Sequence, residues 1–88
     1  MINEHLIYIS DKLDSHLGMN FVAKEFFDEI NSSDFNRFVV DFSNVKFMSR
    51  SFTQEYLFQK FETDKEIVEI NVPAHVKKMF DVVSKDFE

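Results

Sequence analysis

Apolar residues recur along the chain with two different spacings. Residues 6–9, "LIYI", form a short run of β-favouring side chains and predict a first strand. A polar connection, "SDKLDSHLG", follows. In "MNFVAKEFFDEI" the residues Met19, Val22, Ala23, Phe26, Phe27 and Ile30 fall at steps of three and four, and Lys24, Glu25, Asp28 and Glu29 turn away from them. That spacing predicts a helix with one apolar face. Turn chemistry at residues 31–36, "NSSDFN", separates it from a second strand, "RFVVDF". The contiguous Phe38, Val39 and Val40 suit a strand covered on both faces, as in a parallel sheet.

The second half repeats the alternation. A helix is expected from about Phe52 to Phe61, then "ETDKE" returns the chain to a third strand, "IVEINV". Pro73 opens a last helix, where its missing N–H and fixed φ are tolerated. Val76, Met79, Phe80, Val83 and Phe87 form its apolar stripe, with Lys77, Lys78, Lys85 and Asp86 mainly on the wet side. The order β-α-β-α-β-α predicts an α/β fold: a mainly parallel sheet with helical cover and right-handed crossovers. No internal repeat or linker interrupts it, so residues 1–88 are read as a single small domain.

Composition sharpens this picture at a few points. A chain of 88 residues buries only roughly 60% of its surface. Twelve Phe residues enlarge the area each buried side chain removes from water. The single glycine, Gly18, is expected to let the backbone turn tightly into the first helix. With no cysteine there are no disulfides or thiolate metal sites, and His5, His16 and His75 lack metal-ligand spacing. A net charge of −6 with scattered cations argues against nucleic-acid binding. The start "MINEHLIYIS" lacks the pattern of a secretory leader, and no apolar stretch approaches the roughly 20 residues that span a bilayer. A cytoplasmic protein with no membrane association is the expectation. No glycine-rich phosphate loop, ordered triad or paired carboxylates are visible, so neither catalytic residues nor a cofactor are expected.

One stretch carries candidate chemistry. Met48-Ser49-Arg50-Ser51 places two hydroxyls and a cation where the second strand turns into the second helix. "SFTQ", residues 51–54, fits a Ser-x-x-Gln capping box, with Ser51 accepting from the Gln54 N–H. The same position tolerates a phosphate, because a helix N-terminus favours negative charge and Arg50 adjoins it. Ser51 therefore reads as a cap, a regulated serine or both. Asp41, at the exit of the second strand, either caps a neighbouring loop or shapes a site at the strand ends. In the second helix Leu57, Phe58 and Phe61 are expected to face the core, and Phe52 and Tyr56 to project on the opposite side. That second apolar side would meet a partner, a second copy, or the N-terminal segment or a neighbouring loop.

With these elements placed, "RFVVDFSNVKFMSRSF" resembles the signature stretch of STAS domains, found in bacterial anti-sigma-factor antagonists. There a buried strand and a short hydrophobic loop lead into Asp-Ser-Ser-Gly at a helix start. The chain more closely resembles the STAS-like family of small proteins, through "LGMNFVAKEFFDEI", "VVDFSNVKFMSRSF" and "EINVPAHVKKMFDVV". Together these cover about residues 15 to 84. The resemblance implies a STAS-like fold and a non-enzymatic regulatory module that binds a protein partner. Such a partner would be a histidine-kinase-type ATPase or another signalling protein. It places the phosphoacceptor at Ser51 and an interaction surface at Ser49, Arg50, Phe52 and Tyr56, supported by Asp41. Relative to the antagonist motif, Ser49 stands for the Asp, Arg50 for the first Ser and Phe52 for the Gly. Homo-oligomerisation without a switch, or a small enzyme with its site at the strand ends, are the other readings.

Overall fold

A computed structural model describes residues 3–87. The three long strands are β1 (Glu4–Tyr8), β3 (Arg37–Asp41) and β5 (Glu66–Ile70), all parallel, with β3 in the centre. Three long helices alternate with them: α2 (Asn20–Ser32), α3 (Arg50–Glu62) and α4 (Ala74–Ser84), the last continuing into a 3₁₀ turn, Lys85–Phe87. The expected alternation of strands and helices is present. Three short elements were not anticipated: a single helical turn, α1 (Ile9–Lys12), and the two-residue strands β2 (His16–Leu17) and β4 (Phe47–Met48). β2 and β4 pair in parallel apart from the main sheet. Pairs this short carry almost no periodic signal. They form because Leu17 and Met48 are both buried in the core. No helix among the described residues is long and apolar enough to cross a membrane.

The strand order follows the chain order, and right-handed crossovers then place successive helices on the same face of the sheet. In keeping with this, α2 packs on α3, and α4 on α3. Alternation along the strands sends Phe38, Val40 and Ile67 into the core beneath them. The opposite face carries three cross-strand rows: Glu4–Arg37–Glu66, Leu6–Val39–Val68 and Tyr8–Asp41–Ile70. Arg37 ties the first row together through ion pairs to both glutamates. Leu6 is 45% exposed and Val39 is half-buried, so the expectation of a second strand covered on both faces does not hold. Every long helix was used to cover one side, which left the other bare.

The core between sheet and helices is aromatic. Tyr56 of α3 lies at its centre, with its ring 5.1 Å from that of Phe27 in α2 and 5.9 Å from that of Phe42 just after β3. It is 5.5 Å from Phe80 in α4 and 6.3 Å from Phe52 one turn back. The pairs with Phe27 and Phe42 are edge-to-face, as the ring quadrupole favours, whereas Phe52 is stacked and Phe80 tilted. The Tyr56 hydroxyl donates to Glu69 of β5 at 2.8 Å, and Lys60 reaches the other oxygen of that carboxylate at 2.7 Å. The polar tip of a buried ring is thus satisfied. Burial, then the Glu69 charge, pushes the phenol pKa well above its ordinary value.

Gly18 does not play the part its composition suggested. Its φ is not positive, and a Cβ built there meets nothing within 4 Å. The left-handed positions are Asn44 and Asn71, at φ 67° and 52°. Gly18→Ala should therefore leave the fold intact and raise stability by about 0.4–1 kcal/mol through the unfolded chain. Urea denaturation of the two proteins checks the sign, and a loss of stability would show that the turn needs glycine.

Candidate functional site

The turn before α3 is fixed by strand pairing. Ser49 follows β4, and its N–H donates to the Leu17 carbonyl at the end of β2 at 2.8 Å. This holds Ser49 extended, with φ −76° and ψ 160°, so the helix starts at the next residue. Ser49 is the cap: its hydroxyl accepts from the Phe52 N–H at 2.9 Å and donates to the Gly18 carbonyl at 2.7 Å. Its own carbonyl receives the Thr53 hydroxyl and N–H. The expected capping box at Ser51 and Gln54 is not formed, because the helix begins two residues earlier than that reading required. Ser51 lies inside the first turn, exposed, and its hydroxyl makes no hydrogen bond among the described residues. Beside it Arg50 is 3.2 Å from Asp86 in the C-terminal 3₁₀ turn, an ion pair at the surface. Such a pair contributes about 0–1 kcal/mol.

On α3 the expected core position of Leu57 holds, but the placement of the four aromatic side chains is the reverse of the sequence reading. Phe52 and Tyr56 are 0% exposed, whereas Phe58 is 47% and Phe61 63% exposed. The core stripe is Phe52, Thr53, Tyr56 and Leu57, completed by the aliphatic stem of Lys60. These positions follow helical spacing well, but Thr53 and Lys60 are not apolar, so the stripe is disguised. Phe52 and Tyr56 cannot be contact residues on this surface.

What α3 offers to solvent is a different set. Ser51, Gln54, Glu55 and Phe58 line a shallow depression together with Asn20 of α2 and Phe87 of the 3₁₀ turn. Phe61 extends it, its ring 5.6 Å from that of Phe87. Phe58, Phe61 and Phe87 thus form an exposed aromatic strip running from the unbonded Ser51. The sequence signal for it was the spacing of Ser51, Glu55 and Phe58, one residue type after another on a single helical face.

Asp41 is part of another cluster. One carboxylate oxygen accepts from the Ser43 N–H at 2.8 Å and the Ser43 hydroxyl at 2.6 Å, and the other from the Asn71 amide at 3.0 Å. The Ser43 hydroxyl, opposed by burial and helped by the Ser43 N–H and the Asn71 amide, holds the carboxyl below its ordinary value. Ser10 donates to the Ser43 carbonyl, tying α1 to the same loop. Every acceptor position of Asp41 that these contacts use is structural, which favours the loop-capping reading. Among the described residues no hydrogen bond or ion pair links Asp41 to residues 49–51. Nor do His, Asp and Glu side chains gather into a group able to hold a metal ion among those residues.

Comparison with protein-family models, with curated proteins and with solved structures found no match.

Three outcomes follow from this geometry. Ser49→Ala should cost about 1–2 kcal/mol, because it removes both the cap and the tether to Gly18. Ser51→Ala should change stability by less than about 0.5 kcal/mol. Urea midpoints of the two variants, compared with the parent chain, rank the serines directly. For Asp41 the depressed pKa means stability that is present above its unfolded-state value of 3.8 and lost as pH falls through the lower folded-state value. The stability gap between the parent protein and Asp41→Asn should therefore be widest near neutrality and narrow below that range. A gap unchanged from neutral to strongly acid pH would show that the carboxylate charge is not what these contacts stabilise.

Proposed function

We propose that this protein is a non-enzymatic protein–protein interaction module of STAS-like type, docking through the exposed face of α3 and regulated at Ser51. The observation that carries this reading is the aromatic strip Phe58–Phe61–Phe87 beside an exposed serine at a helix start. Large apolar side chains grouped at the surface mark contact sites more often than scattered ones do. Aromatic anchors of this kind dominate binding energy where they are buried by a partner. The resemblance of residues 15–84 to STAS-like proteins supplies the class of partner, a histidine-kinase-type ATPase or another signalling protein. It also supplies Ser51 as the phosphoacceptor. The surface is the opposite one from Phe52 and Tyr56, so the docking residues become Ser51, Phe58, Phe61 and Phe87.

The switch would work by charge at an apolar boundary. A phosphate adds about −1.5 to −2 charges at the first turn of α3, where the helix N-terminus stabilises them. Arg50 adjoins it and is held by only a surface pair to Asp86. The new charge competes with Asp86 for that guanidinium, while Glu55 and Asp86 repel it. Loosening of the Arg50–Asp86 pair frees the turn that carries Phe87. A partner seated on the strip then loses an anchor and meets a desolvated phosphate.

Binding of a partner recovered from native cells, measured with the purified chain, tests this. Phe58→Ser and Phe61→Ser should each weaken binding about tenfold or more, corresponding to at least about 1.4 kcal/mol. Both side chains are exposed, so circular dichroism and thermal melting should be nearly unchanged. Ser51→Asp should weaken the same complex, and phosphopeptide mapping should find phosphate on Ser51. If all three variants bind as the parent does, the strip is not the interface.

A further inference from the structure

The other surface left open by the fold is the outer edge of β1. The Arg37 N–H donates to the Asn3 carbonyl, and the register pairs Glu4 with Arg37, Leu6 with Val39 and Tyr8 with Asp41. In a parallel ladder, alternate residues of each strand address the neighbour. Arg37, Val39 and Asp41 therefore face β1, and Glu4, Leu6 and Tyr8 direct their own N–H and C=O groups away from the sheet. The Tyr8 carbonyl is taken by the first turn of α1, for which Tyr8 is the N-cap. The Glu4 and Leu6 N–H and C=O groups and the Tyr8 N–H make no hydrogen bond among the described residues.

The two edges of the sheet are treated differently. On β5, Glu69 points inward beneath α3 and is held by Lys60 and Tyr56, a placement of charge that discourages strand addition. β1 has no such inward carboxylate: its five residues contain no Pro or Lys, its one acidic residue, Glu4, is paired with Arg37 on the bare face, and its register is unbroken. Alongside it runs a groove of about 530 Å³ between β1 and α2, lined by Ile7, Phe26, Ile30, Phe35 and Phe38. A strand added at β1 would place alternate side chains in that groove and the others on the bare face.

We infer that the β1 edge pairs antiparallel with β1 of a second copy of this chain, joining the two sheets into one. The strand is self-complementary about a two-fold axis at Leu6. Each Leu6 N–H then meets the other Leu6 carbonyl, and each Tyr8 N–H meets the Glu4 carbonyl of the second copy. The Tyr8 carbonyl, which α1 already uses, is not required. No like charges face each other within the register: Glu4 lies opposite Tyr8, His5 opposite Ile7 and Leu6 opposite Leu6, while the α1 end of one strand brings both Asp11 and Lys12 toward the Glu4 end of the other. His5 and Ile7 of the second copy fall on the groove side. On the bare face Leu6 against Leu6 joins the two Leu6–Val39–Val68 rows into one apolar band. This contact is separate from the α3 strip.

Sedimentation equilibrium from low micromolar to millimolar protein, with amide hydrogen exchange at both ends of that range, tests it. A monomer–dimer equilibrium is expected, with protection of the Leu6 amide rising with concentration. Leu6→Lys, at an exposed side chain, should weaken association about tenfold or more by setting two cations against each other. Phe58→Ser should leave association unchanged. If Leu6→Lys does not fold, the concentration dependence of the Leu6 amide in the parent chain decides the question. A chain that stays monomeric, or a dimer whose Leu6 amide exchanges as freely as in the monomer, overturns the proposal.

Discussion

The burial of Tyr56 is the constraint on which the rest of this structure depends. Its ring touches side chains from α2, the segment after β3, and α4, and its hydroxyl reaches β5. A tyrosine with no solvent exposure is stable only if its hydroxyl finds a partner, and Glu69 supplies one whose charge Lys60 balances. This arrangement fixes the rotation of α3 about its own axis. With Tyr56 inward, Phe52, Thr53 and Leu57 must follow it, and Phe58 and Phe61 must face water. The exposed aromatic strip is thus a consequence of core packing.

The start of α3 is fixed by a second, independent device. The β2–β4 pair is only two residues long, yet it sets the position of Ser49, and Ser49 sets the first residue of the helix. Its hydroxyl is committed on both sides, to Phe52 and to Gly18. Ser51 is consequently free of structural duty. A residue that carries no structural bond can be modified without unfolding what surrounds it, and the neighbouring Arg50 and Phe87 are tied only by surface contacts. The architecture separates the serine that holds the turn, Ser49, from the serine that is exposed beside it, Ser51.

The sheet is one-sided for a topological reason. Strands laid down in chain order with right-handed crossovers put their helices on a single face, so a three-stranded sheet of this kind keeps a bare face and two edges. The Arg37 ladder solvates one end of that face, and the Asp41–Ser43–Asn71 cluster seals the other. Between them the Leu6–Val39–Val68 row and the β1 edge stay open. Among the described residues no further layer covers them.

The amino-acid sequence by itself determined the long elements, though not α1, β2 or β4. The three-and-four spacing around Phe26, the apolar run at Phe38–Val40 and Pro73 before Val76 marked helices and strands that the structure contains. Local periodicity can do this because it reports which side of an element is dry. It could not choose between two apolar sides of one helix. Phe52 and Tyr56 competed with Phe58 and Phe61 on α3, and the stripe that won included buried Thr53, whose hydroxyl donates to the Ser49 carbonyl, and half-buried Lys60, which pairs with Glu69. Those partners lie in a turn and on a distant strand. The same holds for the cap: two serines were available, and the carbonyls of Leu17 in β2 and of Gly18 just after it, more than thirty residues earlier, selected Ser49. Only the tertiary structure decided these points, because the Tyr56 and Lys60 contacts to Glu69 and the Ser49 contacts to Leu17 and Gly18 join different elements of the fold.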